Sequence, residues 1–145
     1  MNGLWCIAHK LKMGGGVTNW FASLFEVLNY VIYSNHIPAG IQIGENTKFE
    51  HHGLGCVIHE KAIIGSNCKI FQNVTIGAKW PEGSKCDGIP KIGNNVQIGC
   101  GAVIIGNITI GNDVYIGANA VVLNDIPDNS IAVGVPAKIR KRKDD

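Results

Sequence analysis

Aliphatic residues recur along this chain at every sixth position. The series breaks once, and its members are Ile58, Ile64, Ile70 and Ile76, then Ile92, Ile98, Ile104, Ile110, Ile116 and Val122. An amphipathic α-helix has a period of about 3.6 residues and an ordinary strand a period of about 2. A period of six instead predicts a short strand and a turn, repeated along a coil whose inward side chains form one apolar column.

Glycine occupies many of the turns between these aliphatic positions. It directly follows the aliphatic residue at Gly65, Gly77, Gly93, Gly99, Gly111 and Gly117. Glycine and asparagine adopt turn conformations that other residues resist. At three sides per coil, the hexads predict an all-β domain over residues 38–137, a parallel β-helix of about four triangular coils. Pro38 marks the entry of the chain into this coil.

Two irregularities interrupt the period of six. Around His51 and His52, two inward positions are separated by nine residues, so three extra residues disturb the coil there. Insertions in strands commonly re-aim side chains at active sites. The sixteen-residue step from Ile76 to Ile92 is not a whole number of hexads, which predicts a loop over residues 79–91 at one corner. Loops on rigid scaffolds commonly carry specificity.

Residues 1–37 follow a helical pattern and are predicted to form a short N-terminal helical segment. Apolar side chains over residues 20–32 make a wide helical stripe, with Thr18 as a candidate N-cap. A shorter helix is predicted over residues 4–13, before three consecutive glycines. Two interpretations remain open. The segment caps the open end of the coil, where an exposed edge promotes aggregation, or it contacts another subunit or a membrane surface.

Composition excludes several classes of protein. Hydrophobic residues make up 46% of the 145 residues and charged residues 17%, as in a packed chain and unlike a disordered one. The five cysteines are odd in number and form no CxxC motif, which disfavours a disulfide framework and a zinc ribbon. The reducing cytoplasm is therefore the expected location. The apolar stretch that ends at Tyr33 falls short of the ~20 residues of a membrane span.

Positive charge is concentrated at the C-terminal end. The net charge is +2, and five of the last residues between Lys138 and Lys143 are lysine or arginine. No basic face is apparent elsewhere, so no nucleic-acid partner is expected. Two interpretations fit the basic tail, residues 138–145. It binds a local anion such as a nucleotide phosphate, or it is a solvated end.

Five motifs stand out within and after the repeats. They are His51-His52-Gly53-Leu54-Gly55-Cys56-Val57-Ile58-His59, Gln72-Asn73-Val74-Thr75-Ile76-Gly77, Ile89-Pro90-Lys91-Ile92-Gly93, Gly99-Cys100-Gly101-Ala102 and Gly134-Val135-Pro136-Ala137-Lys138. The repeats and these motifs resemble the hexapeptide-repeat acyltransferases. Within that family they are most similar to serine acetyltransferases and to capsule or exopolysaccharide O-acetyltransferases.

The resemblance implies a left-handed coil, a homotrimer, and direct transfer of an acetyl group from acetyl-CoA to a hydroxyl group without a metal. It puts His52 at the position of the catalytic histidine, and histidine is a natural base because its pKa lies near neutrality. It also implies a set of residues that contact CoA. They are Gly77, Ala78, Gly99, Cys100, Gly101, Gly117 and Ala118, with Lys138, Arg140 and Lys141 at the nucleotide phosphates.

Two further histidines accompany the candidate base. His51 stands where serine acetyltransferases have an aspartate that orients the base, whereas capsule-type relatives show the same His-His-Gly. In an extended segment, His51 and His52 would point to opposite sides, and His51 either hydrogen-bonds His52 across the kink or is exposed. His59 is a candidate contact for the acceptor or a partner subunit. A zinc site is disfavoured because no histidine follows His59.

The resemblance leaves the acceptor open. Serine acetyltransferases end the loop with Arg-His-Pro-Lys, and this chain has Gly88 and Ile89 in place of the arginine and histidine. Together with His51, these departures favour a bulkier, uncharged hydroxyl acceptor such as a sugar in surface polysaccharide synthesis. Its candidate contacts are His59, Trp80 and Ile89. The alternatives are a serine O-acetyltransferase of cysteine synthesis and a non-catalytic β-helix binding protein.

Overall fold

The computed structural model of the protein describes residues 3–14, 18–79 and 88–141. Two helices come first, α1 at Gly3–Gly14 and α2 at Thr18–Tyr33. The strands that follow are short: β1 Gln42–Ile43, β2 Lys48–Phe49, β3 Val57–Ile58, β4 Ile63–Ile64, β5 Lys69–Ile70, β6 Thr75–Gly77, β7 Lys91–Ile92, β8 Gln97–Ile98, β9 Val103–Ile105, β10 Thr109–Ile110, β11 Tyr115–Ile116, β12 Val121–Val122, β13 Ser130–Val133 and β14 Lys138–Lys141.

These strands form three sheets that are the three sides of a triangular coil. The first side contains β1, β4, β7 and β10, the second β2, β5, β8, β11, β13 and β14, and the third β3, β6, β9 and β12. Every pairing within a side is parallel apart from β13 with β14. The chain passes from side to side in order and completes four turns up to β12. The predicted β-helix of about four coils is confirmed.

Each short strand turns one side chain outward and the next inward. In β4, Ile63 is 39% exposed whereas Ile64 is 2% exposed. The aliphatic residues that recur in sixes are all inward and at most 3% exposed, and they stack into one continuous column. Burial of this apolar surface contributes about 25 cal/mol per Å² to the free energy of folding. The period of six therefore identified the core.

The helices pack beside the first coils. In α1 the buried Trp5 donates its Nε1 hydrogen to the carbonyl of Ile37, 3.0 Å away. In α2, Oε1 of Glu26 accepts a hydrogen bond from the backbone N–H of Ala39 at 2.7 Å. Both contacts attach the helices to the segment that enters the coil. The candidate N-cap at Thr18 concerns a side chain outside the described set. Among the described helices, none has the length and hydropathy needed to cross a membrane.

Helix α2 carries its apolar stripe on the outer surface. Its buried positions are Ala22 and Asn29, at 0% and 2% exposure. The exposed apolar residues of the helix are Trp20, Phe21, Leu24, Val27, Leu28, Tyr30, Val31 and Ile32. Contiguous exposed apolar surface of this kind is typical of a contact face. The periodicity predicted the helix, but it did not indicate which way the stripe faces.

The basic C-terminal segment is ordered as a strand over residues 138–141, where the sequence suggested a tail. Strand β14 pairs antiparallel with β13, which joins Ser130 to Lys141 and Val133 to Lys138. The last strand of a coil has backbone N–H and C=O groups without partners along its outer edge. A strand that returns antiparallel beside it forms hydrogen bonds with these groups. Residues 142–145 lie outside the described part of the chain.

Candidate functional site

His51 and His52 lie at the corner where the second side turns into the third. The chain turns at Glu50–Gly53, between β2 and β3. His51 has φ 50° and ψ 38°, His52 has φ 60° and ψ 15°, and Gly53 has φ 71°. The segment is therefore a left-handed turn and not the extended segment that the sequence suggested. The extra residues form this turn, and both imidazoles are exposed.

The two imidazoles have different aromatic neighbours. The His52 ring lies 5.1 Å from the ring of Tyr33, at the end of α2, measured between centroids. The His51 ring lies 6.4 Å from that of Phe71, in the next coil. The His52 ring thus lies beside the end of the helical segment, whereas the His51 ring is nearer to the next coil.

Five of the ten residues implied in CoA binding lie on this same histidine corner, which comprises residues 50–56, 71–74, 99–102 and 117–120. Backbone hydrogen bonds stack its successive coils, from Asn73 N to Leu54 O at 2.8 Å and from Gly101 N to Gln72 O at 3.0 Å. The next link joins Asn119 N to Cys100 O at 2.8 Å. Gly99, Cys100, Gly101, Gly117 and Ala118 therefore form one column with the histidines.

The glycines of this column have a structural reason to be glycine. A Cβ on Gly99 would lie 2.6 Å from the backbone N of Ala118, and one on Gly117 would lie 2.7 Å from Cγ1 of Val133. Gly101 has φ +69°, a left-handed conformation that side chains disfavour. Coil stacking alone accounts for these glycines, so their identity gives no independent support for a ligand.

A cleft of about 810 Å³ opens between the helices and the third side of the coil. It is lined by Lys12, Glu26, Asn29, Tyr30, Asn35, His36, Ile37, Pro38, Gly40, Val57, Ile58, His59, Glu60, Lys61, Thr75, Ile76, Gly77, Ala78 and Ile105. Of the candidate site residues chosen from the sequence, the lining contains His59, Gly77 and Ala78. His51 and His52 are outside the lining, although Asn35 at its wall donates Nδ2 to the carbonyl of His52 at 3.2 Å.

Gly77 differs from the other coil glycines. A Cβ built on it meets no atom of the described residues within 4 Å, and its φ is not positive. Within residues 3–14, 18–79 and 88–141, neither packing nor backbone conformation requires glycine there. A glycine that neither packing nor backbone conformation explains, at the wall of a cleft, is typical of a site where a ligand or another backbone approaches closely.

His59 presents a defined edge to this cleft. Its Nδ1 accepts a hydrogen bond from the backbone N–H of Lys61 at 3.1 Å. The neutral ring therefore carries its proton on Nε2, which leaves that nitrogen as a donor. His36, which sequence reasoning did not single out, lines the same cleft and forms a β-bridge with Val57 at the start of the third side.

The loop at residues 79–91 is described only at its two ends. Trp80 lies outside the described residues. Ile89 is partly buried and packs against the core of the coil. Gly88 has φ +98° and touches Asn107, so a side chain there would collide with the next coil. Lys91 belongs to β7, and the loop therefore ends one residue earlier than predicted.

The described cysteines are free thiols. Burial raises the pKa of the Cys56 and Cys68 thiols above the ordinary 9.0, which keeps them protonated and poorly nucleophilic. Cys100, on the histidine corner, is partly exposed. In the described ranges, no three His, Cys, Asp or Glu side chains are grouped to hold a metal ion.

Comparison with known proteins identifies the family. A family model described as bacterial transferase hexapeptide (six repeats) matches residues 89–124. The putative colanic acid biosynthesis acetyltransferase WcaB of Escherichia coli K12 is 35% identical over 117 residues, which are 81% of this chain and 70% of WcaB. The chain belongs to the hexapeptide-repeat transferases.

Other relatives of this hexapeptide-repeat transferase are serine acetyltransferases. That of Staphylococcus xylosus is 48% identical over 106 residues, 73% of this chain and 48% of the relative. That of Synechococcus elongatus is 40% identical over 116 residues, 80% of this chain and 46% of the relative. The chain thus spans about half the length of these two proteins.

Solved structures of serine acetyltransferases match the fold. The Neisseria gonorrhoeae enzyme superimposes with a TM-score of 0.81 at 34% identity, covering 97% of this chain and 52% of that chain. The soybean apoenzyme gives 0.79 at 36% identity, covering 94% of this chain and 55% of that chain. The hexapeptide-repeat transferase described here therefore has the left-handed parallel β-helix of these neighbours, preceded by a short helical segment.

Proposed function

We propose that the protein is an acetyl-CoA-dependent O-acetyltransferase that acts on a hydroxyl group of a saccharide, with His52 as the general base. One observation carries this proposal. The coil breaks its regular stacking at the left-handed turn Glu50–Gly53, and this turn presents an exposed imidazole beside the aromatic ring of Tyr33. Backbone strain of this kind clusters at functional sites.

The reaction requires a proton acceptor and a bound thioester. Nε2 or Nδ1 of His52 takes the proton of the acceptor hydroxyl as its oxygen attacks the thioester carbonyl carbon. The tetrahedral intermediate collapses, the carbon–sulfur bond breaks, and the proton passes from the imidazolium to the departing thiolate. Direct attack leaves no acetyl group on the enzyme. His51 assists by flanking the same turn. A backbone N–H near Gly77 is a candidate donor to the intermediate's oxygen.

The proposed donor site uses two corners of the coil. Gly77 and Ala78 end the third side, at the corner opposite to the histidines, while the column from Gly99 to Ala118 lies below His52. The proposal assigns both sets to the pantetheine arm and Lys138, Arg140 and Lys141 to the nucleotide phosphates. In a homotrimer, one subunit's histidine corner would meet a neighbour's loop corner. Acetyl-CoA as donor also fits a cytoplasmic location.

The acceptor is proposed to be a sugar and not serine. His51 lacks the negative charge of the aspartate that serine acetyltransferases have at this subsite, and Gly88 and Ile89 offer no side-chain charge to an amino acid. His59 remains a proposed acceptor contact, because its Nε2 can donate to a hydroxyl group. Trp80 remains a proposed acceptor contact. Serine is the second candidate, because several close relatives carry the name serine acetyltransferase.

A thiol-release assay with acetyl-CoA tests both the reaction and the acceptor. The purified protein is assayed against a panel of neutral sugars and against L-serine, with His52→Ala in parallel. We expect release with at least one sugar to exceed release with serine, and His52→Ala to lose about 10²–10⁴-fold in kcat while melting normally. Serine activity equal to or above that with every sugar would overturn the acceptor assignment. His52→Ala activity above about a tenth of wild type would reject the base.

A further inference from the structure

The turn that carries His52 is conformationally costly. Three consecutive residues, His51, His52 and Gly53, all have positive φ between 50° and 71°. Two of them are not glycine, and L side chains disfavour this region because Cβ approaches the following carbonyl oxygen. Such a run persists only where the surrounding structure holds it in place. The groups that hold it therefore determine the direction of the His52 side chain.

A buried pair of asparagines contacts the backbone of this turn. Nδ2 of Asn35 donates to the carbonyl oxygen of His52 at 3.2 Å. Nδ2 of Asn29, in α2, donates in turn to Oδ1 of Asn35 at 2.5 Å. Asn29 is 2% and Asn35 1% exposed. Two amides are thus linked in series from the helix to the peptide of the candidate base.

The segment that contains Asn35 also contacts the turn by packing against Gly53. A Cβ on Gly53 would lie 3.4 Å from Nδ2 of Asn35 and 2.8 Å from Cδ1 of Ile37. The carbonyl of Tyr33 accepts the backbone N–H of Gly55 at 3.1 Å. Residues 33–37 therefore contact the histidine corner through the Asn35 side chain and two backbone hydrogen bonds, the second from His36 N to Cys56 O at 2.7 Å.

The asparagine pair is not fully satisfied. Oδ1 of Asn29 is buried and has no hydrogen-bond partner among the described residues. A buried polar atom without a partner lowers the stability of the folded state. The helix nevertheless keeps an amide at this position, and the contact that this amide makes is the one that orients Asn35. This arrangement serves the orientation of Asn35 better than it serves stability.

We propose that Asn35, oriented by Asn29, is a positioning residue that fixes the peptide of His52 and so aims its imidazole at the acceptor hydroxyl. The inference rests on the function proposed above. Without the hydrogen bond from Asn35, the left-handed turn would be free to relax toward ordinary backbone angles, which would reorient the Cα–Cβ bond of His52 and move its ring away from Tyr33. A displacement of about 1 Å at a reacting group can cost on the order of a hundredfold in rate.

A double-mutant cycle tests this role. Asn35→Ala is made in the wild type and in His52→Ala. We expect Asn35→Ala to lower kcat about tenfold or more, with KM for acetyl-CoA changed less than about twofold. In the His52→Ala background, the same substitution should cause no further loss, because the group that it positions is absent.

Two further variants separate positioning from general destabilisation. Asn35→Asp keeps the size of the side chain and still accepts from Asn29, but it cannot donate to His52, so we expect a kcat loss like that of Asn35→Ala. Thr47→Val is the matched control. Thr47 is also 2% exposed and bonds the backbone at Gly65 and Cys68, but at another corner. It should melt at a lower temperature and keep wild-type kcat.

The outcomes distinguish the two proposals. If Asn35→Ala and Asn35→Asp lower kcat no more than Thr47→Val, or lower it equally with and without His52, the positioning role is wrong and His52 stands. If His52→Ala itself keeps wild-type turnover, the proposed base is wrong whatever Asn35 does.

Discussion

At the scale of single residues, Gly77 separates a ligand contact from a packing requirement. We expect Gly77→Ala to leave the melting temperature unchanged, since its Cβ meets no atom within 4 Å in the part of the chain that the structure describes. The same methyl group would intrude on a pantetheine arm, so KM for acetyl-CoA should rise several-fold. Differential scanning fluorimetry and initial rates measure the two quantities.

Gly99→Ala is the matched control for this prediction. Its Cβ would lie 2.6 Å from a backbone nitrogen, and overpacking of this kind typically costs about 1–3 kcal/mol of folding free energy. We therefore expect Gly99→Ala to lower the melting temperature. A Gly77→Ala protein that is destabilised to the same extent, or that binds acetyl-CoA normally, would contradict the assignment of Gly77.

Only some of the candidate site residues could be predicted from the sequence. His52 was singled out from the resemblance and from the nine-residue step, and the structure does find a special turn there. The left-handed conformation of His51 and His52 was missed, because positive φ is uncommon in any residue other than glycine and hexad spacing does not reveal it. Asn29 and Asn35 gave no signal, since each lies outside the repeats and acts through a contact that only folding creates.

At the scale of the strand, alternation in and out of the coil controls stability. Ile63 and Ile64 are neighbours in β4 with 39% and 2% exposure. We expect Ile64→Ala to lower the free energy of unfolding by about 2–5 kcal/mol, the usual range for a buried isoleucine. Ile63→Ala should change it by less than about 1 kcal/mol. Denaturant titrations of the two variants measure the difference, and equal losses would contradict the inward column.

The helices illustrate the limit of pattern reasoning at this scale. The stripe over residues 20–32 identified α2 correctly, because a period of 3.6 requires only that apolar residues share a face. Whether that face packs against the coil or is exposed depends on the contacts that the other face of the helix can make. Here Ala22, Glu26 and Asn29 face the rest of the chain, and the small and polar residues make the specific contacts.

At the scale of the whole molecule, the basic strand β14 lies at the far end of the second side, several coils from the helices. We expect the combined variant Lys138→Ala, Arg140→Ala and Lys141→Ala to raise KM for acetyl-CoA, because charge-assisted hydrogen bonds to the nucleotide phosphates are lost. S-acetylpantetheine lacks the nucleotide, so its KM should not change. Initial rates with both donors test the assignment, and equal effects on both would reject it.

The resemblance and the repeats agree at this scale because they depend on the same residues. The period of six, set by inward isoleucines and turn residues, determined the three-sided coil and its number of turns. The C-terminal segment differs from the suggested tail, because residues 138–141 form strand β14. The sequence shows the charges at residues 138–141. It does not show the free edge of β13, with which the backbone of these residues pairs, because that edge exists only after the coil has formed.

The sequence by itself determined the inward column, the break in the repeat between Ile76 and Ile92, and the position of the extra residues at His51 and His52. All three depend only on spacing along the chain. Only the tertiary structure decided the left-handed turn, the outward stripe of α2 and the asparagine pair beneath His52. Each of these depends on contacts between segments that are far apart in sequence, such as Asn29 and Asn35 with the corner at His52, and hydrophobic spacing carries no information about such partners.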